Sequence, residues 1–192
     1  MYFQYETNRL ILRILNSHDA KKVLQFQVEN RELFEKYEPD RPENFYTLSH
    51  QESLLRFEYK LAMKLSTVRF YVFLKNDPAK VIGTVCFHNI TRPFYSCTEV
   101  GYKFAASAHH QGYATEALQK GIEIMRDELG IHRINARVMP VNLPSIHLLE
   151  RLGFEREGLE RESILLHGVW EDHLRFGLIT THPWHDTSSQ TD

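Results

Sequence analysis

Residues 99–117 read Glu-Val-Gly-Tyr-Lys-Phe-Ala-Ala-Ser-Ala-His-His-Gln-Gly-Tyr-Ala-Thr-Glu-Ala, which is a strand, a short loop and a helix that opens on small residues. No other stretch limits the fold as tightly. A helix start leaves its first backbone N–H groups without partners and carries the positive end of the helix dipole, so it holds phosphate well. Gly112 and Ala114 keep side chains out of the way of a pyrophosphate approaching that backbone. Taken alone, Gly-x-Ala after a strand is equally an ordinary helix start.

The flanking periodicities predict a mixed α/β domain. Residues 9–14 alternate, placing Leu10, Leu12 and Ile14 on one face of a half-buried strand. Ser17 is a candidate cap for a helix running to about Asn30, and Ser49 with Glu52 forms a capping box for another running to about Lys64. Between them, residues 32–46 are rich in Pro, Asp and aromatic residues and read as a short helix followed by an ordered loop. Strands follow over 70–75 and 81–89, joined by the turn Asn76-Asp77-Pro78, and a third lies over 98–104. After Gly112, the spacing of Ala114, Ala117, Leu118, Gly121, Ile122, Met125 and Leu129 marks one helical face. Ile134, Ala136 and Val138 alternate as a strand. Asn142 can cap a helix over 143–152 that Gly153 ends, and a hairpin turns at His167-Gly168. There is no repeat or linker, so one domain over 1–180 is expected, with a polar tail over 181–192.

A second informative stretch is Asn142-Leu-Pro-Ser145, leading to Gly153-Phe154. Capping accounts for Asn142; it accounts less well for Ser145, three residues further in. Together and in this order, the two stretches resemble the GNAT acetyltransferase superfamily. Thr7-Asn-Arg-Leu-Ile-Leu-Arg13, Glu99-Val-Gly-Tyr102, Gly112-Tyr-Ala-Thr-Glu-Ala117, Asn142-x-x-Ser145 and Asp172-His173 resemble its RimJ/RimL branch, which acetylates the N-terminal amines of ribosomal proteins. The similarity extends over about residues 7–180 and includes Glu38-Pro39 and Arg41-Pro42-Glu43. One departure stands in the loop: His109 replaces the usual Gln or Arg, and His110 replaces the usual first Gly, where a β-carbon disfavours a positive φ.

The resemblance implies a mostly antiparallel sheet flanked by helices, with two strands splayed apart, and acetyl-CoA as co-substrate. It implies that the strand residues Tyr102, Lys103 and Phe104 pair with the pantetheine amides. The loop residues His109, His110, Gln111, Gly112, Tyr113, Ala114 and Thr115 would cradle the pyrophosphate, and Asn142 would hydrogen-bond the cofactor arm. Ser145 would give a proton to the departing thiolate as an amine attacks directly in a ternary complex. A base must first take a proton from the acceptor ammonium; an α-amine, at about 8, needs less help than a lysine amine at about 10.4. Glu99, on the strand beside the expected acetyl position, is the first candidate, acting through water, and Glu162 is the second. A structural carboxylate is the alternative for Glu99.

Composition narrows the surroundings. The formal net charge of −2 offers no global field for nucleic acid or an anionic membrane, and no apolar run is long enough to span a bilayer. Cys86 and Cys97 fit neither a disulfide framework nor a metal spacing, which suits a reducing cytoplasm. Among 11 histidines there is no metal-binding pattern; His182 and His185 sit in the tail, so no metal is expected. Protonated His109 and His110 could help neutralise phosphates, or could be simply solvated. The acceptor expected is a protein N-terminus. The alternatives are a small amine (polyamine, amino acid or aminoglycoside), for which Glu35, Glu38, Asp40 and Glu43 could supply carboxylates, and a non-catalytic acetyl-CoA sensor. A homodimer is compatible with the sequence but not readable from it.

Overall fold

The computed structural model describes residues 1–180. The tail expected over 181–192, with His182 and His185, lies outside the described residues. An eight-stranded sheet runs in the order β1-β2-β3-β4-β5-β6-β8-β7. Its strands are β1 (Gln4–Glu6), β2 (Leu10–Arg13), β3 (Val68–Leu74), β4 (Asp77–Thr91), β5 (Cys97–Phe104), β6 (Arg133–Val138), β7 (Glu155–Leu166) and β8 (Val169–Ile179). All neighbouring strands are antiparallel except β5 and β6. The helices are α1 (Ala20–Glu29), α2 (Arg31–Glu35), α3 (Leu48–Met63), α4 (Tyr113–Leu129) and α5 (Leu143–Arg151).

The core has two parts. Leu10, Leu12, Val85, Phe87, Val100 and Phe176 pack with Leu118, Ile122 and Met125 of α4 and Leu149 of α5. On the other face, Ile11, Tyr71, Phe73 and Val81 pack with Val23 and Phe26 of α1, Phe34 of α2 and Leu55 of α3. Burying each such large apolar side chain contributes roughly 1.5–3 kcal/mol. Gly121 brings α4 close to the sheet: a β-carbon there would stand 2.7 Å from the Phe87 ring.

Three sequence expectations are corrected. The strand over 9–14 is not one-sided; Ile11, between Leu10 and Leu12, is buried as well, because helices cover both faces of the sheet. The helix expected from Ser17 begins as a single 3-10 turn capped by Asn16, whose side chain accepts the His18 N–H at 2.9 Å. Helix α3 is capped by Thr47 rather than Ser49, and Glu52 pairs with Arg56 one turn on instead of reaching back to the cap. The short strand β1 had not been foreseen; its three residues are too few to show a period. Asn142 caps α5 as expected, its Oδ1 accepting the Ser145 N–H at 3.3 Å.

Candidate active site

The parallel strands β5 and β6 pair over only three positions, Cys97 with Arg133, Thr98 with Ile134 and Glu99 with Asn135. Beyond Glu99 they part: β5 stays on β4 as far as Phe104, and β6 stays on β8 as far as Val138. A cleft of about 770 Å³ opens between them, walled by Val100 to Phe104 on one side and Ala136, Arg137 and Val138 on the other. It reaches both faces of the sheet, touching Ala114, Asn142, Ser145 and Leu148 on the α4–α5 side and Leu33, Phe34, Tyr37 and Glu38 on the α2 side. A β-carbon at Gly101 would meet nothing within 4 Å, so the cleft is unobstructed where the strands diverge. A wedge between two strands that have lost each other accepts a ligand carrying its own amides.

At one mouth sits the start of α4. Gly112 caps it in the left-handed region (φ 75°) and no side chain takes the first N–H groups, as an anion site requires. His110 also adopts a positive φ of 58°, so the β-carbon at that position does not prevent the turn; histidine enters this region more readily than most residues. His109 donates from Nε2 to the Phe104 carbonyl at 3.1 Å, and Gln111 donates to the Ser107 carbonyl at 2.7 Å. Both side chains thus hold the loop's shape. Past Gly112 and Thr115 a depression of about 510 Å³ continues to Arg9 and Arg151, two cations beside the uncapped helix start.

The loop is anchored from the far end of the chain. Glu116 accepts from Thr7 Oγ1 at 2.5 Å, from the Arg9 backbone N–H at 2.9 Å and from Arg9 Nε at 2.7 Å. Arg9 Nη1 also donates to the Gln111 carbonyl at 2.8 Å. Thr7, Arg9 and Glu116 all stand in the motifs above, but strand and helix patterns do not link them.

Within the cleft, Ser145 Oγ lies 2.8 Å from Tyr102 Oη. Burial holds the Tyr102 hydroxyl well above its usual range, so it stays protonated. The side chain of Lys103 points to the other face: Nζ is 2.8 Å from Glu38 Oε1 and donates to Gln27 at 3.0 Å. Burial pushes that ammonium down to about 8, against the pull of Glu38. The Phe104 ring lies in the core, over Gly83. Lys103 and Phe104 therefore have only their main chain to offer a ligand in the slot.

The two base candidates lie elsewhere than the cleft wall. Glu99 accepts from Arg137 Nη1, and Arg137 Nε donates to Glu160 at 2.6 Å. Glu162 sits exposed in an irregular stretch of β7 with φ 48°, its N–H donating to Asp172 at 2.8 Å.

On the α2 side the acidic residues are already matched. Glu35 pairs with Arg31 at 2.8 Å and accepts from Tyr46. Glu38 is bound by Lys103 and, at 2.5 Å, by Arg41. Although burial opposes its ionisation, those cations hold the Glu38 carboxyl below its usual range. Asp40 pairs with His167 at 2.6 Å, and His167 Nε2 donates to the Glu35 carbonyl at 2.7 Å. This double contact ties the β7–β8 hairpin tip to the α2 loop; His167 (φ 50°) and Gly168 (φ 80°) form the tight turn that permits it. No group of three or more His, Cys, Asp or Glu side chains gathers to hold a metal among the described residues. No helix among them is long and apolar enough to cross a membrane.

Residues 9–155 match the family described as the acetyltransferase (GNAT) domain. The chain is 33 % identical over 178 residues to an Escherichia coli ribosomal protein uS5-alanine N-acetyltransferase, covering 93 % of this chain and 91 % of the relative. Its fold is similar to that of a ribosomal-protein-S5-alanine acetyltransferase from Vibrio fischeri, with TM-score 0.87 and 30 % identity over 94 % of this chain and 99 % of that one. It is also similar to Mycobacterium smegmatis RimJ in complex with CoA-disulfide, with TM-score 0.83 and 25 % identity over 88 % and 81 % of the two chains.

Proposed function

The chain belongs to the GNAT family and is an acetyl-CoA-dependent N-acetyltransferase, and on that premise we propose that its acceptor is the α-amine at the N-terminus of a ribosomal protein. One observation carries the choice of acceptor. A polyamine needs several uncommitted carboxylates, whereas Glu38 is the one acidic residue of the α2 loop that lines the cleft, and Lys103 and Arg41 already bind it. A peptide N-terminus brings a single charge and an extended backbone, which suit a cleft bounded by the α2 loop and the clasped hairpin. The relatives named for alanine acetylation of a ribosomal protein support the same choice. A ribosomal acceptor would place the enzyme in the cytoplasm.

In this reading, the first N–H groups of α4, with Arg9 and Arg151 beyond, hold the phosphates of acetyl-CoA. The unpaired edges of β5 and β6 hold its arm, and Asn142 faces that arm. The acceptor amine attacks the thioester carbon directly, in a ternary complex. Ser145 gives its proton to the departing sulfur, and Tyr102, 2.8 Å behind it, replaces that proton. A base must also take a proton from the acceptor ammonium; Glu99 could serve only by loosening its bond to Arg137.

The test is a competition assay measuring CoA release. Peptides beginning with Ala or Ser should be turned over, and their N-blocked versions should be inert. Efficient turnover of spermidine or a free amino acid, with peptides inert, would replace this acceptor by a small amine. Binding of acetyl-CoA with no turnover of any amine would make the chain a sensor.

A further inference from the structure

His173 is 5 % exposed, yet it lines the cleft. Its Nδ1 stands 3.2 Å from the Glu171 carbonyl oxygen and 3.3 Å from Ser163 Oγ. A carbonyl oxygen only accepts, so the Glu171 contact needs an N–H at Nδ1. In the neutral ring that leaves Nε2 as a bare lone pair. Nε2 has no hydrogen-bond partner among the described residues. The one side-chain N or O atom among them that is both sealed from solvent and unpartnered is Gln51 Oε1. Nε2 therefore reaches open space, and the open space its residue borders is the cleft.

The neighbouring carboxylates are already engaged in ion pairs. Glu99 is bound by Arg137, Glu160 by Arg137 and Arg175, and Glu38 by Lys103 and Arg41. Protonating any of them forfeits an ion pair. The bond from Arg137 holds Glu160 below its usual range. Glu162 is exposed on β7 and does not line the cleft.

We propose that His173 is the base of the reaction, Nε2 taking one proton from the acceptor ammonium at the α2-side mouth of the cleft. This rests on the acetyltransferase reading and deepens it. The balance is simple. The ammonium carries three protons and the amide keeps one. The first leaves to Nε2 and on to solvent, freeing the lone pair that forms the C–N bond. The second leaves the nitrogen to solvent as the C–S bond breaks, the sulfur takes the Ser145 proton, and solvent returns that proton to Ser145 through Tyr102, so both hydroxyls end protonated. An α-ammonium near 8 gives up its proton about 250-fold more readily than a lysine ammonium near 10.4. A histidine base thus suits an N-terminal α-amine. The ionisable groups around it are its register partner Glu160 on β7, Asp172, Glu171 and Arg175 on β8, Arg137 on β6, and Lys103, Glu38 and Tyr37 across the cleft.

The experiment is a pH profile of kcat/KM for wild type, His173→Asn and Glu99→Gln, with acetyl-CoA binding followed by thermal shift. Asn keeps a donor near the Nδ1 position and removes Nε2. H173N should lose about 10²–10⁴-fold at pH 7. That deficit should shrink as pH rises past about 8, where the α-amine is already free, while the acetyl-CoA thermal shift stays at the wild-type value. His173→Gln, which puts a polar tip near Nε2 that accepts no proton, should show the same pH-dependent loss. A wild-type rate in either variant, or a loss constant across pH, overturns the assignment. So does a pH-dependent loss in E99Q alone. The profile is taken with whichever amine the wild type turns over, so an error in the proposed acceptor is seen separately from an error in the base.

Discussion

Replacing Glu116 by Ala removes one carboxylate that three donors share, from Thr7 and twice from Arg9. Its side chain is 18 % exposed, while that of Arg9 is 49 % exposed, so water compensates the guanidinium more than the Thr7 hydroxyl and the Arg9 backbone N–H. Orphaning a partly buried hydrogen-bonded group costs about 1–3 kcal/mol, and bonds to a charged acceptor lie at the upper end. Discounting for the exposure of Arg9, E116A should lose about 2–3 kcal/mol. A domain of this size moves about 2–4 °C per kcal/mol, so Tm should fall by about 4–12 °C. The loss is also local: it frees the turn between β1 and β2 from the first turn of α4, the proposed phosphate cradle. Acetyl-CoA affinity, measured by calorimetry, should therefore weaken as well. The pH dependence has a definite sign. Burial opposes ionisation of Glu116, but the bonds from Thr7 and Arg9 outweigh it and lower its folded pKa. The stabilisation is present above the unfolded value of about 4.3 and is lost as pH falls through the folded value. The Tm curves of wild type and E116A should therefore converge in acid. A Tm within 1 °C of wild type at pH 7, with unchanged acetyl-CoA affinity, would refute the claim that this carboxylate holds the cradle.

Gly112→Asp puts a β-carbon at φ 75° and a negative charge at the uncapped start of α4; it should abolish the thermal shift given by acetyl-CoA, and a wild-type shift would move the phosphate site elsewhere. Ser145→Ala should lower kcat by about 10²–10⁴-fold with little change in acetyl-CoA affinity. Tyr102→Phe should lower kcat less than S145A does, because Ser145 keeps its own proton for the sulfur; equal losses would make Tyr102 the direct donor.

The junction of strand, loop and small-residue helix start could be read from the sequence because local chemistry alone dictates it. Gly112 must take a positive φ, and α4 must turn an apolar face to the sheet. Asn142 was readable as a cap for the same reason. What the pattern hid depends on contacts across more than 100 residues: Glu116 on Thr7 and Arg9, and His167 on Asp40. Alternation did not say that the Lys103 side chain turns to the face where Glu38 binds it, leaving only its main chain toward the slot. Nothing in the strand of Glu99 announces that Arg137 of the neighbouring strand binds it. His173 stood in the Asp172-His173 motif with no chemistry attached to it until its second nitrogen was found without a partner.

The gap left where β5 and β6 separate after Glu99 touches residues on both sides of the sheet. It is therefore less a pocket than a doorway through a wall, with an entrance on each side. On the proposed function, a nucleotide thioester seated on α4 would come in by one entrance, and an amine crossing the α2 loop by the other. Neither would then have to leave for the other to arrive, and the direct ternary-complex attack proposed above would need no acyl-enzyme. A single molecule joining a CoA sulfur to an amine would thread the sheet from face to face.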